Sequence, residues 1–330
     1  MTTQHKLRLG SAGGRELLRR SLLAWYDTHR RDLPWRQDRD PYRVWLSEIM
    51  LQQTRVAAVL DHYQAFLRRF PTIEKLAAAR EASVLAVWSG LGYYRRARML
   101  HAAAKEIVRE HAGKFPSTAE QWRQLPGIGR YTAAAIASIA CGEPVAVVDG
   151  NVERVLGRLL DQHLAGEGLW QAAGELLAAR RPGDFNQAMM ELGATVCLAR
   201  QPRCLVCPVF RCCATQGDVE KRGPKPKQKK REIHYALDCQ NGSVFLTERP
   251  AYAALMPGMW ELPEISSQDD PSSAWLTLRH SITTTDYVVR VRRARVFPET
   301  KGRWILRRRL RTLALTGLAR KILRAAGFEE

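Results

Sequence analysis

The chain has 330 residues, 45% of them apolar, and carries a formal net charge of +19 from 52 Lys and Arg against 33 Asp and Glu. That length holds two domains with separate cores, and no apolar run approaches the ~20 residues of a membrane span. The excess charge calls for a polyanionic partner, because phosphate neutralisation with counterion release is its common use.

From Arg15 to about Ala214 the pattern predicts helices. Apolar residues recur at three- and four-residue steps, as in Val84-Leu85-x-x-Trp88 and Leu100-x-x-Ala103-x-x-x-Ile107. Gly113 and Gly142 stand where helices should stop. Ser117-Thr-Ala-Glu120 reads as a capping box after Pro116. Leu125-Pro-Gly-Ile-Gly129 then precedes the apolar helix Tyr131 to Ala140. Gly127 and Gly129, one residue apart at a helix N-terminus, would expose backbone N–H groups to a phosphate. Pro144 to Val148 is strand-like, and Asp149 after it can cap the helix running through Arg154.

Next comes Cys197-x6-Cys204-x2-Cys207-x5-Cys213. Thiolates this close in sequence can wrap a compact soft-metal centre. The x2 step suits zinc or iron, while the wider steps fit a [4Fe–4S] cube better than a tetrahedral zinc knuckle. Disulfides are disfavoured, since the seven cysteines are odd in number and the opening Met1-Thr-Thr-Gln-His-Lys6 lacks the apolar core of an export signal. A reduced cytoplasmic, nucleoid-associated setting is therefore expected.

Residues 217–231 read as a basic linker, with seven Lys and Arg between Lys221 and Arg231. Behind it, Ser243 to Thr247, Asp286 to Val291 and Arg293 to Phe297 are strand-like, and Leu318 to Ala326 closes with a helix. The expected fold class is multidomain: an all-α front domain carrying the metal loop, then a smaller α+β domain. Val289 to Arg324 holds thirteen basic residues, with Glu299 as its single acid.

Several segments together resemble the MutY-type adenine DNA glycosylases of the helix-hairpin-helix, iron–sulfur superfamily. They are Leu33-Pro-Trp-Arg36, Pro41 through Thr54, Gly90-Leu-Gly-Tyr-Tyr94, Leu125 through Tyr131, Asp149-Gly-Asn151, Phe185-Asn-Gln187 and the cysteine spacing. Leu246-Thr-Glu-Arg249 and Pro257 through Pro263 look like the Nudix-related domain of that family. The resemblance implies a glycosylase domain over residues 1–216, with a six-helix part at about 36–145. Its iron–sulfur part would comprise the N-terminal segment and about 146–216. A Nudix-like domain reading 8-oxoguanine would follow over 232–330.

It also implies a monomer acting on duplex DNA at adenine opposite 8-oxoguanine or guanine. Breaking that N-glycosidic bond needs a proton on the departing base and stabilisation of a cationic sugar. Two carboxyls in different environments supply these. Glu48 lies in the apolar run Trp45 to Leu51, where desolvation would keep it protonated; alone, it reads equally as a buried partner of an arginine. Asp149 alone reads as a helix cap. By resemblance Glu48 is the acid, Asp149 faces the sugar with Asn151 beside it, and Tyr131 tunes or relays a proton. Trp35, Arg36 and Gln187 would line the adenine pocket. Gln53 and Tyr93 would wedge the helix open, with Thr54 and Leu91 nearby. Arg200 and Arg203 would offer charge to phosphates from a [4Fe–4S]-folded loop.

Bifunctional relatives carry a lysine where Tyr131 stands, and a tyrosine cannot form an imine. The resemblance therefore implies hydrolysis without strand cleavage. A glycosylase/lyase for damaged pyrimidines and a non-enzymatic iron–sulfur DNA-binding protein are the alternatives. In the rear domain, no pyrophosphatase signature follows Gly258. The family's Phe-Ser-His reading loop is replaced by Ile282-Thr283-Thr284, leaving the Thr283 hydroxyl as its hydrogen-bond donor.

Overall fold

The structure is a computed structural model that describes residues 9, 11–217, 229–253, 255–266, 274–282, 285–296 and 298–328. The reading-loop residue Thr283 and most of the basic linker lie outside these.

The helices in chain order are α1 (Ala12–His29), α2 (Pro41–Leu51), α3 (Val56–Arg69), α4 (Ile73–Ala77), α5 (Glu81–Trp88), α6 (Arg95–His111), α7 (Ala119–Gln124) and α8 (Arg130–Ala140). They continue with α9 (Gly150–Leu160), α10 (Gly166–Leu176), α11 (Pro182–Thr195), α12 (Arg307–Leu310) and α13 (Gly317–Ala325). The strands are β1 (Lys229–Leu237), β2 (Cys239–Gln240), β3 (Ser243–Glu248), β4 (Trp260–Glu261), β5 (Glu264–Ile265), β6 (Leu276–Ile282), β7 (Thr285–Arg293) and β8 (Arg303–Leu306). A helical front and an α+β rear are thus both present. Among the described residues, no helix is long and apolar enough to cross a membrane.

The chain divides into two compact units: residues 1–53 with 106–223, and residues 54–105 with 224–330. This partition differs from a single cut at the linker, because the helices over 54–105 group with the rear sequence. The reason is visible inside the second unit. Trp260 pairs with the 314–316 segment, its N–H donating to Ala314 O and its carbonyl accepting from Thr316 N. The Leu315 carbonyl in that segment accepts from Ser89 Oγ at 2.7 Å and from Tyr94 Oη at 3.2 Å.

The rear sheet that runs β5-β1-β7-β6 is mixed, with β1 parallel to β7 and the outer pairs antiparallel. A second sheet joins β2, β3 and β4, with β8 also on β3. Helix α13 closes their core: Leu318, Ala319, Ile322 and Leu323 are buried with Val244, Leu246, Val289 and Val291. The i, i+4 spacing of Leu318 with Ile322 and Ala319 with Leu323 makes that apolar face.

Three local expectations shift. The capping box is formed by Thr118 and Gln121, one residue later than Ser117 and Glu120. Pro144 to Val148 belongs to no strand. Asn186 bonds it instead, its Oδ1 accepting from Val147 N and its Nδ2 donating to Val145 O. The strand reading of Arg293 to Phe297 ends at Arg293, where β7 stops; Val296 N instead bonds Asp238 Oδ2 at 2.9 Å.

Candidate active site

Helix α2 is apolar almost all round, with every residue from Val44 to Met50 buried. Glu48 therefore has no solvent face and is 6% exposed. Burial pushes its carboxyl up to about 7; the Tyr131 hydrogen bond opposes this, Asp149 adds to it and Arg36 opposes it. A carboxyl so placed carries a proton near neutral pH and can deliver it.

Tyr131 reaches Glu48 from the second residue of α8. Its Oη donates to Glu48 Oε2 at 2.9 Å, and Met190 Sδ is a second acceptor at 3.4 Å. Burial, then the Glu48 and Asp149 charges, hold Tyr131 well above the ordinary phenol range. It is a neutral proton donor here. Two glycines shape the turn before α8. Gly127 has φ +76°, where a side chain would be strained, and Gly129 caps the helix without any side-chain bond to its first N–H groups. Both glycines are exposed. One helix start thus carries the open amides and the phenol.

Asp149 is the N-cap of α9. Its Oδ1 accepts from Asn151 N at 2.9 Å and Val152 N at 2.7 Å, while its Oδ2 accepts from Asn151 Nδ2 at 3.0 Å. Negative charge at a helix N-terminus is favoured by the exposed amides and the helix dipole. Asn151 is fixed in turn, because Arg154 Nη2 donates to its Oδ1 at 2.9 Å and to Gly193 O at 2.7 Å. The two helices approach so closely that a Cβ on Gly193 would stand 2.7 Å from Asn151 Cβ. Arg154 Nε also donates to Cys197 O at 3.0 Å, so the first loop cysteine is tied to the same side chain.

Trp35 is buried and Arg36 partly so, on the short 3-10 turn Pro34–Arg36. The Arg36 guanidinium is largely committed: Nη2 donates to Glu191 Oε2 at 2.8 Å and Nη1 to Arg31 O at 3.2 Å. Glu191 also takes Arg31 Nε at 2.6 Å and Nη2 at 2.8 Å. Burial alone would raise Glu191, but the two guanidiniums overrule it and hold it at about 2. Neither Glu191 nor Arg31, Arg154 or Met190 is singled out by the sequence. The available signal is that Glu191 lies four residues after Gln187, on the same face of α11. Gln187 is half-buried on that helix.

The two wedge candidates belong to different units. Gln53 is exposed with φ +54° in the first, and Tyr93 is 44% exposed with φ +48° in the second. Sequence gave no hint of the residue that shapes the Tyr93 turn, which is Arg96. Its guanidinium lies 5.5 Å from the Trp88 and Tyr93 ring centroids. Its Nη2 donates to Thr54 Oγ1, Leu91 O and Gly92 O. Desolvation lowers it to about 10. Leu91 is 6% exposed, so its side chain is core and its carbonyl serves the turn.

All seven cysteines are free thiols. Burial lifts Cys207 to about 11, with smaller contributions from Cys197, Cys213 and Cys204, so the other three thiols of the motif lie within electrostatic reach of Cys207. Among the described residues, however, no three His, Cys, Asp or Glu side chains close into a metal-holding group. Two sulfurs are drawn toward α9: Cys197 Sγ accepts from Arg158 Nη1 at 3.2 Å, and Cys213 Sγ donates to Arg158 O at 3.4 Å. Arg200 and Arg203 on the loop are exposed.

Residues 46–163 match the family model of the HhH-GPD superfamily of base excision DNA repair proteins. The chain is 49% identical over 218 residues to the adenine DNA glycosylase of Homo sapiens, an alignment covering 62% of this chain and 40% of that protein. It is 38% identical over 260 residues to the adenine DNA glycosylase of Buchnera aphidicola subsp. Baizongia pistaciae, covering 76% of this chain and 74% of that one. A thermostable thymine-DNA glycosylase structure superposes with a TM-score of 0.59 at 29% identity, covering 63% of this chain and 98% of that chain. The fold and the site are those of a helix-hairpin-helix protein. The chain belongs to the adenine DNA glycosylase family. It spans less than half the length of the human relative.

Proposed function

We propose that the chain hydrolyses the N-glycosidic bond of adenine mispaired with 8-oxoguanine or guanine in duplex DNA, leaving the strand intact. One observation carries this reading: a desolvated Glu48, its carboxyl pushed up to about 7, held by Tyr131 within electrostatic reach of the helix-capping Asp149. Glu48 protonates the departing adenine, which turns a poor leaving group into a neutral one, and then takes the proton of the attacking water. Asp149, its geometry fixed by three donors, faces the oxocarbenium-like sugar and lowers the barrier electrostatically. The absence of an amine at position 131 supports hydrolysis without a Schiff base.

The duplex would be gripped by the Gly127 and Gly129 amides and by Arg200 and Arg203, and opened by Gln53 and Tyr93. Trp35, Gln187 and the Arg36 edge not used by Glu191 would receive the flipped base. The all-thiol donor set suits a [4Fe–4S] cluster, which Cys197, Cys204, Cys207 and Cys213 would hold. When bound, such a cluster supplies structure to this loop. Arg158 holds the loop on α9 through Leu198 O and Ala199 O. A Nudix-like rear domain would read the opposite base.

Incubating the purified chain with an A:8-oxoguanine duplex, then resolving the product strand with and without hot alkali, tests the reading. Cleavage seen only after alkali supports it. Neutral-pH nicking by pure protein, or an intact strand after alkali, overturns it.

A further inference from the structure

Helix α11 buries Phe185, Ala188, Met189 and Leu192, and Met190 packs half-buried against the same core. Its Sδ stands 3.4 Å from Tyr131 Oη, the phenol that also reaches Glu48 Oε2 at 2.9 Å. A hydroxyl carries one proton, so Tyr131 can give it to only one of these acceptors at a time. An ionised carboxylate is much the stronger acceptor, and while Glu48 is charged the phenol serves Glu48.

Protonating Glu48 changes this competition. The neutral carboxyl is a poorer acceptor and has a proton of its own to place. When the phenol turns toward Met190, its oxygen is free to accept from Glu48, and a chain runs from Glu48 through Tyr131 to the sulfur. Without the sulfur, the same turn would leave a buried O–H with no acceptor, which is costly in an apolar site. Met190 therefore favours the protonated acid and leaves the ionised one unaffected. A leucine would fill a similar space without offering any acceptor.

We propose that Met190 is a positioning residue for the acid's proton: its sulfur receives the Tyr131 hydroxyl when Glu48 is protonated, so that the phenol oxygen can hold the proton of Glu48. The inference rests on Glu48 as the proton donor of the proposed reaction. It concerns titration, however, and is tested apart from catalysis. The other groups acting on Glu48 are Asp149 at the start of α9 and Arg36 on the 3-10 turn, and substituting Met190 alters neither.

Met190→Leu and Met190→Gln are compared with the parent, the second offering a carbonyl oxygen as acceptor at similar length. The Glu48 carboxyl is followed through the neutral pH range by carbon-13 NMR of glutamate-labelled protein, with Glu48→Gln identifying its signal. Single-turnover adenine release from an A:8-oxoguanine duplex is measured over the same range. Met190→Leu should lower the Glu48 midpoint by about half a pH unit, or roughly threefold in proton affinity, the size of one weak hydrogen bond. Met190→Gln should keep the parent midpoint or raise it. A Leu midpoint at or above that of the parent, or a Gln midpoint that falls as far as the Leu one, would overturn the role. A shifted NMR midpoint that the release profile does not follow would support Met190 as the acceptor and remove Glu48 as the donor.

Discussion

Tyr131 donates its phenolic proton to Glu48 at 2.9 Å, across two helices 83 residues apart in sequence. The bond opposes the rise that burial imposes on Glu48 and leaves the acid at about 7 instead of higher. A lysine in this place would carry charge against Glu48, whereas the phenol offers a neutral donor. In the proposed reaction the pair would supply the proton and offer no amine for an imine.

Keeping Glu48 for chemistry should cost stability. Its folded value of about 7 lies above the ordinary 4.5, so its stabilising contribution is full below about 4.5 and is lost as pH rises through 7. Glu48→Gln should then be more stable than the parent at pH 8, by up to about 3 kcal/mol, with the gap closing toward pH 4. Thermal or urea unfolding at both pH values measures it. Equal stability of the two proteins at pH 8 would contradict the buried-acid assignment.

Glu191 has the opposite sign. Held at about 2, below its ordinary 4.5, it contributes stability above about 4.5 that is lost as pH falls through 2. Glu191→Ala strands Arg31 and Arg36 against a vacated buried site and should destabilise by about 3 kcal/mol. Urea unfolding at neutral pH reads this directly. A change below about 1 kcal/mol would show that water replaces the carboxylate.

Arg96 orders the Tyr93 turn by stacking and by three hydrogen bonds from one nitrogen. Arg96→Lys keeps the charge but lacks the planar fork. Duplex affinity should drop several-fold while the fold and the Glu48 titration stay as they are. Retained affinity in equilibrium binding would remove Arg96 from the account of the wedge.

Arg154→Leu should lower excision at least tenfold with little loss of duplex binding. It releases Asn151, which holds Asp149, and frees Cys197 O. Single-turnover rates and equilibrium binding on the same preparation separate the two effects. Parent-like rates would mean that Asn151 holds the Asp149 geometry unaided.

The helical front, the turn at Gly127 and the closing helix α13 were legible because local periodicity and glycine placement specify them. Glu48 was legible for the same reason: one acid in an apolar run has few places to go. The Glu191 triad and the Arg96 clamp were not, since they join residues 155 to 160 and up to 42 positions apart, and single charges carry no periodic mark. Pro144 to Val148 misled because β-branched residues suit any extended backbone, and the partner proved to be the Asn186 side chain. The grouping of residues 54–105 with the rear chain depends on the Leu315 carbonyl, which no sequence pattern announces.

The most direct test of the central claim is the pH dependence of single-turnover adenine release from an A:8-oxoguanine duplex. If a protonated Glu48 delivers the proton, the rate falls tenfold per pH unit above about 7, and Glu48→Gln is inactive throughout. A rate that stays level or rises from pH 6 to 9, or an active Glu48→Gln, would contradict it.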